Sequence, residues 1–357
     1  MLTPDYPPAH GGVQRLVHNL VRHWDRLETR VVACGGEGAA EFDRSESIDV
    51  HRTRGLPEQH LKVAWLNAAA FIDAQRFRPD VVLSAHVVTA PAAWGLRRTR
   101  RTPFAQYLYG NEVVGRPRLS RLAVRNAART VVISRHTEAL LRRIGAKPSA
   151  VERIPPGADV AADTDEEKND RPTIVTVSRL NQRYKGHDVM LRALDQIRQQ
   201  FPEVLWVVIG DGELRTEYER LAGAQGLSDH VRFMGAVSDR ERDAWLGRAH
   251  VFSMPSRMPP DAGGEGFGIV FLEAAAHGLP VVAGAVAGAR DAVLDGETGI
   301  LVDPTDESAV AAAISELLGD TVRAESLGRR GADRAKDFAW PVVSRRVEDL
   351  LLDLAAR

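Results

Sequence analysis

The sequence is poor in several features that would assign it to particular protein classes. It contains one cysteine, Cys34, in 357 residues, which excludes an internal disulfide and is typical of a reducing compartment. No uninterrupted apolar run approaches the length that spans a bilayer, and no signal peptide is recognisable, so we expect a cytoplasmic protein. Aromatic residues make up 6% of the chain, and no stacking platform interleaves its arginines, which disfavours nucleic acid as a partner.

Length and composition are those of a two-domain α/β protein. The chain is 44% hydrophobic and 27% charged, which is ordinary for a soluble protein of this class. The net charge of -1 conceals an asymmetry between the two halves. Residues 1–155 hold 24 Lys and Arg against 14 Asp and Glu, a net charge of +10, and the remainder of the chain carries -11.

Much of the positive surplus falls in one segment, in which Glu112 is the single acidic residue. Its arginines are Arg97, Arg98, Arg100, Arg101, Arg116, Arg118, Arg121, Arg125 and Arg129. Such a surface would attract anionic lipid or a phosphorylated acceptor, and would place the protein peripherally at the inner membrane face. The alternative is a solvated arginine-rich face with no partner.

Short apolar runs alternate with amphipathic stretches along the whole chain. In the first half the predicted strands are 29–33, 48–52, 80–84, 103–108 and 130–133, and the predicted helices are 61–76, 88–99, 118–127 and 135–144. A second alternating set begins near residue 173. Alternation of this kind predicts parallel sheets with helical crossovers. Cys34 follows the first of these strands, where we expect a buried structural thiol.

A glycine-rich run over residues 255–283 has the strongest chemical signal. Gly263, Gly264, Gly266 and Gly268 precede IVFLEAAAH, a good helix-forming segment closed by Gly278 and Pro280. A glycine loop that opens a helix leaves N–H groups without partners at the positive end of the helix dipole. This is a predicted anion site, and phosphate is the usual ligand of such sites.

Two carboxylates, Glu265 and Glu273, bracket the start of this helix with seven residues between them. Phosphate would repel both, so we expect them to contact hydroxyl-rich groups on either side of a diphosphate, such as a sugar and a ribose. The alternative is that Glu265 caps the helix and Glu273 is a solvated surface residue.

The segment EGFGIVFLE, residues 265–273, resembles the E-x7-E signature of glycosyltransferase family 4. These are retaining enzymes of the GT-B fold, in which two Rossmann-like domains face a cleft. The resemblance covers most of the chain and is most specific over 174–304. It implies that Glu265 contacts the hydroxyls of the donor sugar and Glu273 the ribose. The helix start expected at the donor is formed by Gly266, Phe267, Gly268 and Ile269.

Two further segments of the second half match the same family. In SRLNQRYKG, Arg179 stands at a strand end and Lys185 in the following loop, where the resemblance implies a grip on the donor phosphates. In VRFMG, Met234 and Gly235 end a strand whose backbone is implied to contact the base. The nearby IGDGELR, residues 209–215, lacks the third glycine of a dinucleotide loop, so NAD is disfavoured.

The first half carries three weaker matches. Gly11 and Gly12 open an amphipathic helix, and the resemblance implies an approach to the donor diphosphate, although a tight turn explains them equally well. His86 follows the predicted strand 80–84, and the resemblance implies that a histidine at this position faces the reacting sugar. The alternative is a packed core histidine. In YGNEV, Tyr109 replaces the family's usual histidine, and Glu112 is expected to orient an acceptor or a basic neighbour.

The domain limits are predicted from a Pro- and Gly-rich, then acidic segment that indicates a linker, and from the resemblance. We expect a first, acceptor-binding domain over 1–155, a linker over 156–172, a nucleotide-sugar-binding domain over 173–338 and a helix over 339–357 that returns to the first domain. Family members open with several apolar residues before the equivalent of Leu2. The expectation is therefore that the first strand is truncated or that the true start lies upstream.

The resulting prediction is a retaining hexosyltransferase that uses no metal cofactor, because no Asp-x-Asp motif stands at a strand end. The favoured donor is GDP-mannose and the favoured acceptor a lipid or lipid-linked glycan. The alternative is a UDP-hexose donor with a soluble natural-product, small-molecule or polysaccharide acceptor. A non-enzymatic nucleotide-sugar sensor, and an epimerase or phosphorylase of the same fold, are the competing function classes.

Overall fold

The chain forms two compact units. The first comprises Met1–Gly157 and Trp340–Arg357, and the second comprises Ala158–Ala339. The residues that the computed structural model describes are 1–9, 11–54, 58–160, 166–259 and 263–356. Parts of the predicted linker, 161–165, and of the glycine-rich run, 260–262, lie outside the described residues.

The first unit is built on seven parallel strands. They are β1 (Leu2–Thr3), β2 (Arg30–Cys34), β3 (Asp49–Thr53), β4 (Val82–Ser84), β5 (Phe104–Leu108), β6 (Arg129–Val132) and β7 (Val151–Arg153). Their order in the sheet is β3-β2-β1-β4-β5-β6-β7. The first strand is two residues long and lies inside the sheet, with Leu2 opposite Val32 on one side and Ser84 on the other.

Helices cover the strands of this unit. They are α1 (Gly12–Arg22), α2 (Ala39–Ser45), α3 (Gln59–Phe77), α4 (Ala90–Arg100), α5 (Asn111–Gly115), α6 (Pro117–Asn126) and α7 (Arg135–Arg143). Helices α3 and α4 bury Leu66, Ala93 and Leu96 against Val82 and Phe104 of the sheet. Helix α4 also contacts α3 on one side and α6 on the other.

The second unit repeats the arrangement with six parallel strands. They are β8 (Thr173–Val177), β9 (Leu205–Ile209), β10 (Val231–Gly235), β11 (Val251–Met254), β12 (Val281–Gly284) and β13 (Gly299–Val302). Their order is β10-β9-β8-β11-β12-β13, which is the doubly wound order of a Rossmann sheet. The chain reverses its direction of progress across the sheet between β8 and β11, and the carboxyl ends of these strands form the usual ligand-binding crevice.

The helices of the second unit lie on both faces of its sheet. They are α8 (His187–Gln200), α9 (Arg215–Ala224), α10 (Asp239–Arg248), α11 (Ile269–Ala276), α12 (Ala289–Ala292), α13 (Glu307–Gly319) and α14 (Thr321–Lys336). Helices α8 and α13 pack together over one face, where Leu194 and Ile314 join Trp206 and Val208 in the core. The last helix, α15 (Trp340–Ala355), belongs to the first unit and packs on α1.

The predicted α/β class is confirmed, since both sheets are entirely parallel and the predicted strands and helices of the first half are present within a few residues. Helices α2 and α5 and strand β7 were not predicted. All three residues of β7 are exposed, so its sequence, Val-Glu-Arg, lacks the apolar pattern that marks a buried strand. Within the described parts of the chain, no helix combines the length and apolarity needed to cross a membrane.

Gly328 and Gly223 provide a matched test of the helix packing. A Cβ built on Gly328, in α14, would lie 2.0 Å from the carbonyl oxygen of Gly278, whereas one built on Gly223, in α9, would meet Ser228 Oγ at 3.9 Å. We expect Gly328→Ala to lower the free energy of unfolding by about 1–3 kcal/mol, because the clash is with backbone. Gly223→Ala should raise it by up to about 1 kcal/mol, because alanine is the better helix former.

Urea denaturation of the two variants measures this difference. Equal midpoints for both variants would contradict the close approach of α14 to the turn after α11.

Candidate functional site

The loop after β8 is anchored beneath by a buried histidine. His187, the first residue of α8, shares a 2.9 Å hydrogen bond between its Nε2 and Ser178 Oγ, and its ring stacks on Tyr218 and Trp206. Burial lowers the pKa of His187 to about 4, and the nearby Lys185 charge adds to this effect. The imidazole is therefore neutral near pH 7 and acts as a core residue that fixes both ends of the loop.

The Gly210-Asp211-Gly212 segment supports this loop through its backbone. A Cβ on Gly210 would lie 2.0 Å from the carbonyl oxygen of Ser178, and one on Gly212 would lie 2.4 Å from the carbonyl carbon of Leu180. The Leu180 N–H donates to the carbonyl of Asp211 at 2.8 Å. Close packing of two loops therefore accounts for these glycines without a bound dinucleotide.

Lys185 and Glu265 form an ion pair between the loops that follow β8 and β11. Their Nζ and Oε2 atoms are 2.5 Å apart, and the side chains are only 14% and 13% exposed. Burial opposes the charged ammonium, but the carboxylate of Glu265 and the phenol of Tyr184 outweigh it and raise the pKa of Lys185. The exposed Arg179 lies close enough for its charge to act on Lys185. Three of the predicted site residues are thus brought together where β8 and β11 diverge.

The glycine-rich turn delivers an uncapped helix start beside this pair. Gly268 is the N-cap of α11 with φ +89°, a conformation that favours glycine, and it carries no side chain to bond the first-turn N–H groups. The turn is held from behind, because the Gly288 N–H donates to the Glu265 carbonyl at 2.9 Å. Phe267 is buried against Phe338, with ring centroids 5.8 Å apart. The N–H groups that begin at Ile269 are therefore fixed at the positive end of α11.

Glu273 is buried rather than solvated. It lies in the second turn of α11 and is 7% exposed. Burial disfavours the guanidinium charge of Arg242 in α10, but Glu273, Asp243 and Asp239 outweigh it and raise the pKa of Arg242. Asp239 and Asp243 hold this arginine at 2.7 and 2.9 Å. The interpretation of Glu273 as a surface residue is therefore wrong, and its charged neighbour Arg242 was not predicted from the sequence.

Met234 and Gly235 end β10, which is an edge strand of the second sheet. Gly235 has φ +73°, and a Cβ there would lie 2.8 Å from Nη1 of Arg215. Arg215 donates to the carbonyl of Phe233 at 3.1 Å. Met234 is half-buried. The strand end is thus shaped by an arginine of the preceding helix, α9, and both residues lie on the carboxyl edge of the sheet with the loops of β8 and β11.

In the first unit, His86 directly follows the carboxyl end of β4. Its Nδ1 accepts a hydrogen bond from the Val88 N–H at 3.2 Å. Burial lowers the pKa of His86 to about 4, and the charge of Arg116 contributes. The ring is therefore neutral near pH 7. It lines a cavity of about 390 Å³ together with Asn111, Glu112 and Arg116.

Tyr109 and Glu112 shape this cavity from behind. The Tyr109 hydroxyl donates to the Ala85 carbonyl at 2.7 Å, and its ring stacks on Tyr107. The Glu112 carboxylate accepts the Tyr109 N–H at 2.5 Å, so it closes the turn after β5. Burial raises the pKa of Glu112, although backbone N–H groups, including that of Gly110, oppose the shift. Both side chains have a structural task that the sequence did not reveal.

Gly11 and Gly12 stand at the start of α1. The backbone of Gly11 is extended, and a Cβ built on Gly12 would meet no atom of the described residues within 4 Å. Internal packing therefore gives no reason for glycine at position 12.

Cys34 ends β2 and is only partly buried, and burial raises the pKa of its thiol, so it stays protonated near neutral pH.

In the parts of the chain that the structure describes, no group of three or more His, Cys, Asp or Glu side chains is placed to bind a metal ion. The expected independence from metal remains a prediction.

Comparison with known proteins identifies the family. A family model described as Glycosyltransferase Family 4 matches residues 10–162, and one described as Glycosyl transferases group 1 matches residues 161–334. A GDP-mannose-dependent alpha-(1-6)-phosphatidylinositol monomannoside mannosyltransferase of Mycolicibacterium smegmatis is 32% identical over 98% of this chain and 97% of its own. The monoacylated-substrate counterpart of Corynebacterium glutamicum is 28% identical over the same shares.

Solved structures agree on the architecture. Anabaena HepE in complex with UDP superposes with a TM-score of 0.82 at 21% identity, over 98% of both chains. The sucrose-phosphate synthase of Thermosynechococcus elongatus gives 0.78 at 23% identity, over 98% of this chain and 94% of that one. The chain therefore belongs to glycosyltransferase family 4 and has the GT-B fold.

Proposed function

We propose that the chain is a retaining mannosyltransferase that moves mannose from GDP-mannose to a hydroxyl of a lipid-linked acceptor. The observation that carries the transferase assignment is the convergence of Arg179, Lys185 and Glu265 beside the uncapped start of α11. The donor and acceptor rest on the relatives, which are named as GDP-mannose-dependent enzymes acting on phosphatidylinositol mannosides.

The chemistry requires stabilisation of a leaving diphosphate. As the bond between the anomeric carbon and the β-phosphate oxygen lengthens, negative charge accumulates on that phosphate. Lys185 and the first-turn N–H groups of α11 are held in place by the fold, so they stabilise this charge with little reorganisation, and Arg179 adds a further positive charge nearby. Tyr184 and Glu265 keep Lys185 protonated despite its burial, which is the state that phosphate binding needs.

The carboxylates take the neighbouring parts of the donor. Glu265, next to Lys185, accepts hydrogen bonds from the sugar hydroxyls, and Glu273, further along α11, accepts them from the ribose. Arg242 of α10 lies close enough for its charge to interact with Glu273. The strand end at Met234 and Gly235 offers backbone groups to the base.

The remaining assignments rest on the family resemblance alone. They place His86 at the reacting sugar and Gly11 and Gly12 at the diphosphate. The low pKa of His86 makes it a neutral hydrogen-bonding group rather than a charged acid. The acceptor oxygen forms the new bond to the anomeric carbon on the face that the phosphate leaves, and the acceptor proton passes to the departing phosphate oxygen.

A UDP-hexose donor is the second candidate, because similar solved structures hold UDP. Incubation with GDP-mannose, UDP-glucose and UDP-N-acetylglucosamine, each with a phosphatidylinositol mannoside or a soluble glycan, separates the candidates. We expect release of GDP and a mannosylated lipid with α linkage. Transfer from a UDP sugar alone would replace the donor assignment, and the absence of transfer from any donor would remove the enzymatic one.

Substitution of the phosphate-binding cations tests their role. We expect Lys185→Ala and Arg179→Ala each to lower kcat/KM by an amount equivalent to about 2–4 kcal/mol, as for the loss of one oxyanion donor. Arg183→Ala is the matched control, since Arg183 is two residues from Lys185 but forms a bidentate pair with Glu217 at 2.7 and 2.6 Å. Near-wild-type turnover of the first two variants would end the phosphate assignment.

Substitution of Glu273 tests the ribose contact. We expect Glu273→Gln to weaken GDP binding by about tenfold or more, because a hydrogen bond to a charged group is lost. The thermal shift produced by GDP measures this change, since ligand binding raises apparent stability by mass action. Glu325→Gln, an exposed acid on α14 (70% exposed), serves as the control. Equal shifts for both variants would count against the contact.

A further inference from the structure

The outer face of helices α4 and α6 concentrates unpaired positive charge. We call it the α4–α6 face, and it consists of Trp94, Arg97, Arg98, Arg101, Arg118, Arg121, Leu122 and Arg125. The two helices pack side by side, and neither contains an acidic residue. The nearest acid in sequence, Glu112, is half-buried and bonded to backbone.

These arginines differ from those elsewhere in the protein. Over the described residues, none of the six lies within 4.0 Å of a carboxylate oxygen, whereas Arg30, Arg183 and Arg215 all form such pairs. Arg97 and Arg121 donate to the carbonyls of Asn126 and Ile144 and so keep their charge uncompensated. The whole chain has slightly more acidic than basic residues, yet the arginines of this face are not neutralised.

Two large apolar side chains stand among these charges. Trp94 and Leu122 are each 37% exposed, and each occupies the middle of its helix. Since α4 and α6 follow neighbouring parallel strands, β4 and β5, the two helices run in the same direction. The face therefore combines an aromatic and an aliphatic group with six arginines.

We propose that the α4–α6 face docks on an anionic lipid bilayer. A tryptophan suits the boundary between headgroups and acyl chains, and arginines extend apolar stems beneath charged heads. Every cation close to an anionic bilayer adds to the attraction, so six of them sustain reversible binding without a membrane-spanning helix. Nucleic acid fits less well, because one tryptophan provides no series of stacking surfaces.

Vesicle sedimentation tests this docking. The protein should bind vesicles of phosphatidylcholine with phosphatidylglycerol and lose that binding at high salt. It should not bind vesicles of phosphatidylcholine alone. Arg98→Gln/Arg118→Gln/Arg125→Gln should weaken binding by about tenfold or more. The matched control, Arg142→Gln/Arg323→Gln/Arg329→Gln, removes the same charge from arginines that are already paired and should bind as the wild type.

The apolar contact has its own readout. Brominated lipids should quench the fluorescence of the wild-type protein on binding, and Trp94→Gln should abolish most of that quenching. Equal vesicle binding by the two triple variants, or no binding by the wild type, would overturn the proposal. Preferential capture of duplex DNA or RNA by the same arginines would overturn it in favour of nucleic acid. Thermal unfolding confirms that each variant is folded.

A second inference concerns the pairing of Lys185 with Glu265, and it rests on the proposed function. Both partners are held by backbone that has little freedom. A Cβ on Gly186, next to Lys185, would lie 2.3 Å from the Pro255 carbonyl oxygen, and the Glu265 carbonyl is bonded to Gly288. The backbone therefore holds Lys185 and Glu265 within reach of each other.

We infer that Glu265 competes with the β-phosphate for Lys185 and thereby promotes release of the nucleoside diphosphate. An intact donor offers sugar hydroxyls to Glu265 and so compensates for the broken ion pair. The product diphosphate has no sugar to offer. After transfer, no sugar hydroxyl lies between the Glu265 carboxylate and the product phosphate. Glu265 therefore forms its ion pair with Lys185 again as the product leaves.

The test compares Glu265→Gln with Glu217→Gln, which breaks the neighbouring exposed pair to Arg183. Glu265→Gln should bind GDP about threefold or more tightly than the wild type and release it more slowly in stopped-flow displacement, while turnover falls. Glu217→Gln should leave GDP affinity unchanged. Weaker or unchanged GDP binding by Glu265→Gln would overturn this inference alone. A wild type that binds no nucleoside diphosphate would instead remove the proposed function.

Discussion

The ion pair between Lys185 and Glu265 is the interaction on which the site depends. It joins the loop after β8 to the loop before α11, which are the two segments on either side of the point where the second sheet reverses its strand order. A buried ammonium is stable here because a carboxylate and a phenol offset its desolvation. The pair therefore holds a positive group ready for a phosphate in a position that solvent reaches only in part.

Backbone contacts make this pair possible. Gly210 and Gly212 let the loop after β9 rest directly on the loop after β8, and Gly288 does the same for the turn at Gly266. A side chain at any of these three positions would meet backbone at 2.4 Å or less. Some glycines of the second unit thus allow loops to pack closely beneath the site. Others, such as Gly268, lie at the start of the helix that forms the site.

The sequence predicted the local features well and the distant ones poorly. Periodicity located the strands and the glycine-led helix, because these depend on neighbours in the chain. The pairing of Lys185 with Glu265 joins residues 80 apart, and Arg242 lies in a polar helix whose pattern gives no sign of a site. Tyr109 was predicted only as a departure from a motif, since its bond to Ala85 depends on how two strands align. Such contacts follow from the tertiary fold and not from local pattern.

The two units divide the work by charge. In the proposed function, a small cationic centre in the second, acidic half binds a diphosphate, and the first, basic half presents an unneutralised face on α4 and α6. A crystal structure with bound GDP would show whether Lys185 holds the diphosphate. We predict a β-phosphate within hydrogen-bonding distance of Lys185 Nζ and of the first N–H groups of α11, with Glu265 displaced from the lysine. A diphosphate bound elsewhere, or bound while the pair stays intact, would contradict it.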